Sequence, residues 1–201
     1  MTLNDITLAV LAGGKARRMG GEDKGLIPVA GQPMIQHVLN RVRQPDMAAL
    51  VIANRNQEAY ADLGLPVHAD SLPGFMGPMA GMMVAMSLAQ TPLVLICPCD
   101  TPNLPADLAQ RLLDALEQEG ADAAVACDDE REHPVVILLK RELLGSIEQF
   151  LAAGDRKIDL WYGQHKVARC VFAGAADAFA NINTPEQRQE LEQQLLAETH
   201  R

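Results

Sequence analysis

The sequence predicts an α/β fold of the three-layer, Rossmann-like kind, a mostly parallel sheet with helices on both faces. Three observations carry this. Short apolar runs alternate along the chain with segments of helical period. The runs are apolar almost end to end, as strands buried on both faces are. Polar residues fit for chemistry stand just beyond several runs, and in such sheets ligands bind past the carboxyl ends of the strands.

The elements follow in order. Residues 6–12 read as a buried strand running into Gly13-Gly14, and residues 33–42 as a helix. Residues 50–53 make a second strand, followed by Asn54-Arg55-Asn56, and residues 66–68 a short third strand ending at Asp70. Residues 79–88 are helical; the methionines at 76, 79, 82, 83 and 86 are most simply core packing. Residues 93–97 form a fourth strand entering Pro98-Cys99-Asp100, and residues 105–117 an amphipathic helix. Residues 122–127 and 134–139 read as strands joined by the charged segment 128–133, residues 141–153 as a helix and residues 167–172 as a late strand. Thr184 as cap, Pro185 at the first helical position and Gln187 three residues after the cap open a final helix. A length of 201 residues suits one domain. Within it the expected division is into halves of about residues 1–104 and about residues 105–201.

Composition narrows the function. A net charge of −9 disfavours a general nucleic-acid or anionic-membrane surface, and 3% aromatic residues disfavour a base-stacking face. The start Met1-Thr-Leu-Asn-Asp5 has an acid where a secretory leader would be basic, and no apolar run approaches the ~18 residues of a membrane span. Cys97, Cys99, Cys127 and Cys170 are too few and too irregular for a disulfide framework, so reduced thiols in the cytoplasm are expected. Cys97 and Cys99 fall on one face of a strand; without a second ligand pair they read as buried structural residues rather than a zinc site.

The segment Leu11-Ala-Gly-Gly-Lys-Ala-Arg-Arg-Met-Gly-Gly-Glu-Asp-Lys-Gly25 is the strongest chemical signal. Gly13 and Gly14 permit a sharp turn and close approach to a ligand, and successive backbone N–H groups in such a turn cradle an anion. Arg17, Arg18 and Lys24 can neutralise a triphosphate. Taken alone, the segment also reads as a strand-to-helix turn with solvated charges. A Walker loop is disfavoured because Gly14-Lys15 is followed by Ala16, and a dinucleotide fingerprint because the adjacent glycines do not start G-x-G-x-x-G.

This loop resembles the opening signature of nucleotidyltransferases with a glycosyltransferase-A-like Rossmann fold and, within them, the molybdenum cofactor guanylyltransferase family. Asn54-Arg55, Asp70-Ser71, Gly77-Pro-Met-Ala-Gly81, Cys97-Pro-Cys-Asp-Thr-Pro102, Arg131-Glu-His-Pro134 and Phe179-Ala-Asn-Ile-Asn-Thr-Pro185 extend the likeness over nearly the whole chain. The resemblance implies transfer of GMP from GTP to the terminal phosphate of molybdopterin, with release of pyrophosphate. It also implies Mg2+ as cofactor, and cofactor-donating or cofactor-accepting proteins as candidate partners. Asp100 is then the magnesium ligand and, with Arg18 and Lys24, catalytic. Leu11, Ala12, Gly13, Gly14, Lys24, Asn54, Asp70 and Asp100 hold the nucleotide. His133, Arg156, Asn181 and Asn183 are candidates for the acceptor. Ile52 departs from the pattern, since some members carry Asn there. The related cytidylyltransferases tend to have Ala at the place of Gly13, where a methyl would crowd a purine.

On residue chemistry alone, other readings stand beside these. Asp100 before Thr-Pro is also a turn-forming residue, Asp70 a strand-end cap and Asn54 a turn asparagine. His133 is also a surface-loop histidine. Arg156 and Lys157 are also solvated charges at a helix start. Asn181 and Asn183 look as if they share a strand face, and are otherwise turn residues before a cap. A phosphomonoester with a second pKa near ~6 is already largely dianionic, so in-line attack on the α-phosphorus needs no strong general base. Positioning and charge stabilisation would suffice. A sugar-phosphate or cytidylyl-type nucleotidyltransferase and a non-catalytic nucleotide-binding protein are the alternatives.

Overall fold

The computed structural model describes residues 1–12, 23–70 and 77–199. Its strands are β1 (Ile6–Leu11), β2 (Pro28–Val29), β3 (Gln32–Pro33), β4 (Ala48–Ile52), β5 (Val67–His68), β6 (Leu93–Pro98), β7 (Ala123–Cys127), β8 (Glu132–Lys140) and β9 (Val167–Val171). Its α-helices are α1 (Met34–Val42), α2 (Gln57–Ala61), α3 (Pro78–Leu88), α4 (Leu108–Glu119), α5 (Leu144–Ala152), α6 (Ile158–Tyr162) and α7 (Pro185–Thr199).

Among the described residues one sheet runs β5-β4-β1-β6-β8-β7-β9. The pairs β1–β4, β1–β6, β4–β5 and β7–β9 are parallel; β8 alone is antiparallel, to β6 and to β7. The mostly parallel α/β sheet expected from the sequence is therefore observed. Alternate strand residues face opposite layers, since side chains alternate across a strand. Leu8, Val10, Leu95 and Cys97 pack with Ile35, Val38, Leu112 and Leu116 of α1 and α4. Ala9, Val94 and Ile96 pack with Met79, Met82 and Met86 of α3 and Phe150 and Trp161 of α5 and α6. The methionines at 79, 82 and 86 are thus core residues. Gly81 lets α3 lie close on the sheet: a Cβ there would stand 3.1 Å from a methyl of Leu11.

Several elements differ from the pattern reading. The β2–β3 hairpin and the five-residue helices α2 and α6 are too short to show a period. The charged connection between β7 and β8 shortens, because β8 begins at Glu132 and takes in His133, with a register shift between Val125 and Ala126. A 3-10 turn, Arg141–Leu143, precedes α5. Apart from the main sheet's two cores, Ile27, Val29, Met34, Ile182 and Leu191 form a third cluster that seats α7 on the hairpin. Gln187 accepts from the backbone N–H groups of Asn183 and Thr184, and Thr184 Oγ1 accepts from Gln187 N at 3.3 Å, so the expected capping box opens α7. Among the described residues no helix is long and apolar enough to cross a membrane.

Candidate active site

Register brings four strand ends together. Leu11 lies level with Ile52 of β4 and with Pro98 of β6, and Ile52 with His68 of β5. The chain leaving each strand stays tied to its neighbour: Ala12 N donates to Ile52 O at 2.8 Å, Ala53 N to His68 O at 2.8 Å and Cys99 N to Leu11 O at 3.1 Å. Ala12, Asn54, Asp70 and Asp100 therefore stand along one carboxyl edge, where an α/β sheet places its ligands.

Lys24 opens a 3-10 turn, Lys24–Leu26, and its ammonium reaches two residues far away in sequence. Nζ donates to Asp100 Oδ2 at 3.1 Å and also to Asn183 Oδ1. The two side chains of the ion pair are 19% and 15% exposed, so the charges are largely withdrawn from water yet open to a ligand. Asp100 also holds the C-terminal segment: its carbonyl accepts from Ile182 N at 2.9 Å. Beside it Thr101 Oγ1 donates to Asn181 Oδ1 at 2.9 Å, and Asn183 Nδ2 donates to Asn181 O at 3.3 Å. Asn181 and Asn183 do not share a strand face, as the sequence suggests; they lie in an irregular stretch that these bonds lay over the end of β6.

At the neighbouring strand ends Asn54 and Asp70 bond each other twice. Asp70 N donates to Asn54 Oδ1 at 2.8 Å, and Asn54 Nδ2 donates to Asp70 Oδ1. Gly13, Gly14, Lys15, Arg17 and Arg18 lie outside the described residues.

The structure also places the remaining acceptor candidates, His133 and Arg156. His133 is not a surface-loop histidine: it is buried in β8, its Nε2 is 2.8 Å from Asp128 Oδ2, and its ring stacks on Phe179 at 4.5 Å. Asp128 is in turn fixed by the backbone N–H groups of Arg131 and Glu130 and by His133, which hold its carboxyl down at about 2. Arg156 Nη1 donates to Leu151 O at 3.1 Å and to Asp155 O at 2.6 Å, and Lys157 stands just before α6 without a side-chain capping bond. Cys97 and Cys99 are buried and unbridged, and burial pushes both thiols well above their ordinary range.

Pattern reasoning missed the role of Asp23. Its buried carboxylate accepts from Tyr60 OH at 2.5 Å and from Asn56 Nδ2 at 3.1 Å. It also missed Thr101. An acid directly before the site lysine was the only available signal for Asp23; none marked Tyr60.

The profile of the MobA-like NTP transferase domain matches residues 8–193. A molybdenum cofactor guanylyltransferase of Shewanella sediminis is 52% identical over 186 residues, which is 92% of this chain and 95% of that relative. Another from Shewanella amazonensis is 52% identical over 190 residues, covering 94% and 97%. The crystal structure of molybdopterin-guanine dinucleotide biosynthesis protein A from Archaeoglobus fulgidus aligns with a TM-score of 0.75 at 21% identity, over 95% of this chain and 99% of that one. A Mycobacterium tuberculosis protein in complex with manganese aligns at a TM-score of 0.67 and 15% identity, over 94% and 98%. These two structures share the fold.

Proposed function

For a chain that belongs to the MobA-like NTP transferase family and is a nucleotidyltransferase, we infer transfer of GMP from GTP to the terminal phosphate of molybdopterin, yielding the guanine dinucleotide cofactor and pyrophosphate. The named activity of relatives about half identical over most of their length supports this substrate pair. One observation carries the assignment to the site: the ammonium of Lys24 lies between Asp100 and Asn183 at the carboxyl ends of β1 and β6.

The reaction is a displacement at the α-phosphorus. An oxygen of the acceptor phosphate forms the new P–O bond, the bond from the α-phosphorus to the bridging oxygen breaks, and its electron pair leaves with pyrophosphate. The acceptor phosphate is already largely dianionic at neutral pH, so no residue has to remove a proton. Leu11, Ala12, Gly13 and Gly14 bind the nucleotide, Lys24 and Arg18 offset charge on the leaving pyrophosphate, and Asn54 and Asp70 line the nucleoside side. Asn181 and Asn183 face the acceptor, with Arg156 near its phosphate. His133 acts from beneath, through Phe179, on the segment that carries the two asparagines. The nucleotide half is about residues 1–104 and the acceptor half about residues 105–201, in one domain in the cytoplasm.

The donor set suits a hard divalent cation. Oxygens of Asp100 and Asn183 already converge on one cationic atom, and Mg2+ takes one or two carboxylates completed by phosphate oxygens and water. When bound, Mg2+ would neutralise triphosphate charge and polarise the phosphoryl oxygens. The fold neighbour in complex with manganese is consistent with a divalent ion here.

The test is pyrophosphate release with each of four nucleoside triphosphates, with and without molybdopterin and Mg2+. Release with GTP alone among them, dependent on acceptor and metal, is expected. Release with CTP or with a sugar phosphate as acceptor would move the chain to a sister activity. No metal-dependent release with any of them would overturn the reading.

A further inference from the structure

We propose that Asp23, Asn56 and Tyr60 form a positioning lock that sets where the ammonium of Lys24 meets the phosphates of the nucleotide. This rests on the reading of Lys24 as a phosphate-binding residue.

Lysine is a point charge on four rotatable bonds, with no planar fork to orient it. Its reach is therefore set largely by where the backbone holds its Cα. Here the backbone is held on both sides of Lys24. Before it, both carboxylate oxygens of Asp23 are committed to α2 and its N-cap: Oδ1 to Tyr60 OH at 2.5 Å and Oδ2 to Asn56 Nδ2 at 3.1 Å. After it, Gly25 packs closely against the hydroxyl end of Tyr60. A Cβ at Gly25 would run into the Tyr60 hydroxyl and would stand 3.2 Å from two ring carbons, so only glycine lets the chain pass this close. The 3-10 turn is closed by Leu26 N donating to Asp23 O at 3.0 Å.

The other half of the lock is equally fixed. Asn56 takes the left-handed conformation, φ 52°, which asparagine tolerates better than most residues, and its carbonyl accepts from Tyr60 N at 3.2 Å. Tyr60 is fully buried and belongs to the core cluster that also holds Val10, Ala12, Val51 and Ala53. A phenylalanine would fill that space as well. Its hydroxyl is a polar group in an apolar core, and its partner is Asp23. Burial, with the Asp23 bond adding to it, pushes the Tyr60 pKa far above the ordinary phenol range, so it stays a donor. The carboxyl end of β4 is thereby tied to a lysine whose charge is delivered to the end of β6.

Removing the hydroxyl should therefore loosen Lys24 without disturbing the core. The experiment is a double-mutant cycle read by direct titration of GTP with Mg2+ in wild type, Tyr60→Phe, Lys24→Ala and the pair, with Tm measured for each. Tyr60→Phe is expected to weaken GTP binding about tenfold when Lys24 is present, a small displacement being costly at a phosphate site. In the Lys24→Ala background the same change should cost less than about twofold, the ordinary limit of additivity. Asn56→Gly, which keeps the left-handed backbone and deletes the amide, should show the same dependence on Lys24. Equal factors in both backgrounds, or no weakening, would overturn the lock while leaving Lys24's role intact. If Lys24→Ala itself leaves GTP affinity unchanged, the reading of the lysine fails, and the lock fails with it.

Discussion

Exchanging Asp100 for asparagine replaces one oxygen by an amide nitrogen and removes one charge, while the outline of the side chain is kept. Lys24 Nζ is 3.1 Å from Asp100 Oδ2, with the two side chains 19% and 15% exposed. At an effective dielectric near ~20 the gross attraction of such a pair is about 5 kcal/mol, most of it offset by desolvation of both ions. Deleting one member of a fully buried pair costs about 3–5 kcal/mol. Here solvent reaches the pair and Asn183 still accepts from the ammonium, so about 1–2 kcal/mol is expected. For a chain of this length that lowers Tm by about 2–8 °C, leaving the protein folded at room temperature. Turnover should fall much further. A lost electrostatic group aimed at the reacting phosphates costs on the order of 10²–10³ in rate, about 3–4 kcal/mol. Pyrophosphate release at saturating GTP, acceptor and divalent ion measures the rate, and circular dichroism melting measures the fold. Turnover within about threefold of wild type, a barrier change well under ~1 kcal/mol, would remove Asp100 from the site and with it the metal assignment.

Three further outcomes are expected. Gly25→Ala should lower stability by about 2–4 kcal/mol in urea unfolding, combining overpacking with displacement of the Tyr60 hydroxyl from Asp23. Part of that loss should be recovered in Gly25→Ala with Tyr60→Phe, and an additive pair would refute the contact. All four cysteines are buried, and burial raises the thiol pKa of each, so a thiol-reactive aromatic disulfide at pH 8 should react slowly with the native chain and count all four only in denaturant; rapid native reaction of Cys97 or Cys99 would refute their packing. The Asp128 carboxyl is held at about 2 in the folded chain, below its ordinary 3.8, so the unfolded chain takes up the proton first. The stability this supplies is complete above about pH 4 and is lost as the pH falls toward about 2. The gap in urea midpoint between wild type and Asp128→Asn should narrow across that window, and a constant gap would refute the bonding described.

The layers, and the edge along which the candidate site lies, are legible in the chain's local pattern. An apolar run that ends at a polar residue is a local signal, and in a parallel sheet with both faces covered it can be satisfied in few ways. Asn54, Asp70 and Asp100 follow from that rule, and Thr184-Pro185 from the local chemistry of a helix start. Contacts between distant segments were decided only by tertiary packing. Asn183 meets Lys24 across 159 residues of chain, in an irregular stretch whose residue types say only that it turns. His133 reads as a loop charge until β8 extends past Pro134 and Phe179 covers its ring. The antiparallel sense of β8, the short hairpin of β2 and β3, and the bond from Tyr60 to Asp23 leave no periodic trace either. Periodicity records which face of an element is buried; which residue lies against that face depends on how the whole chain closes, and the placing of the lysine's charge belongs to that second kind of information.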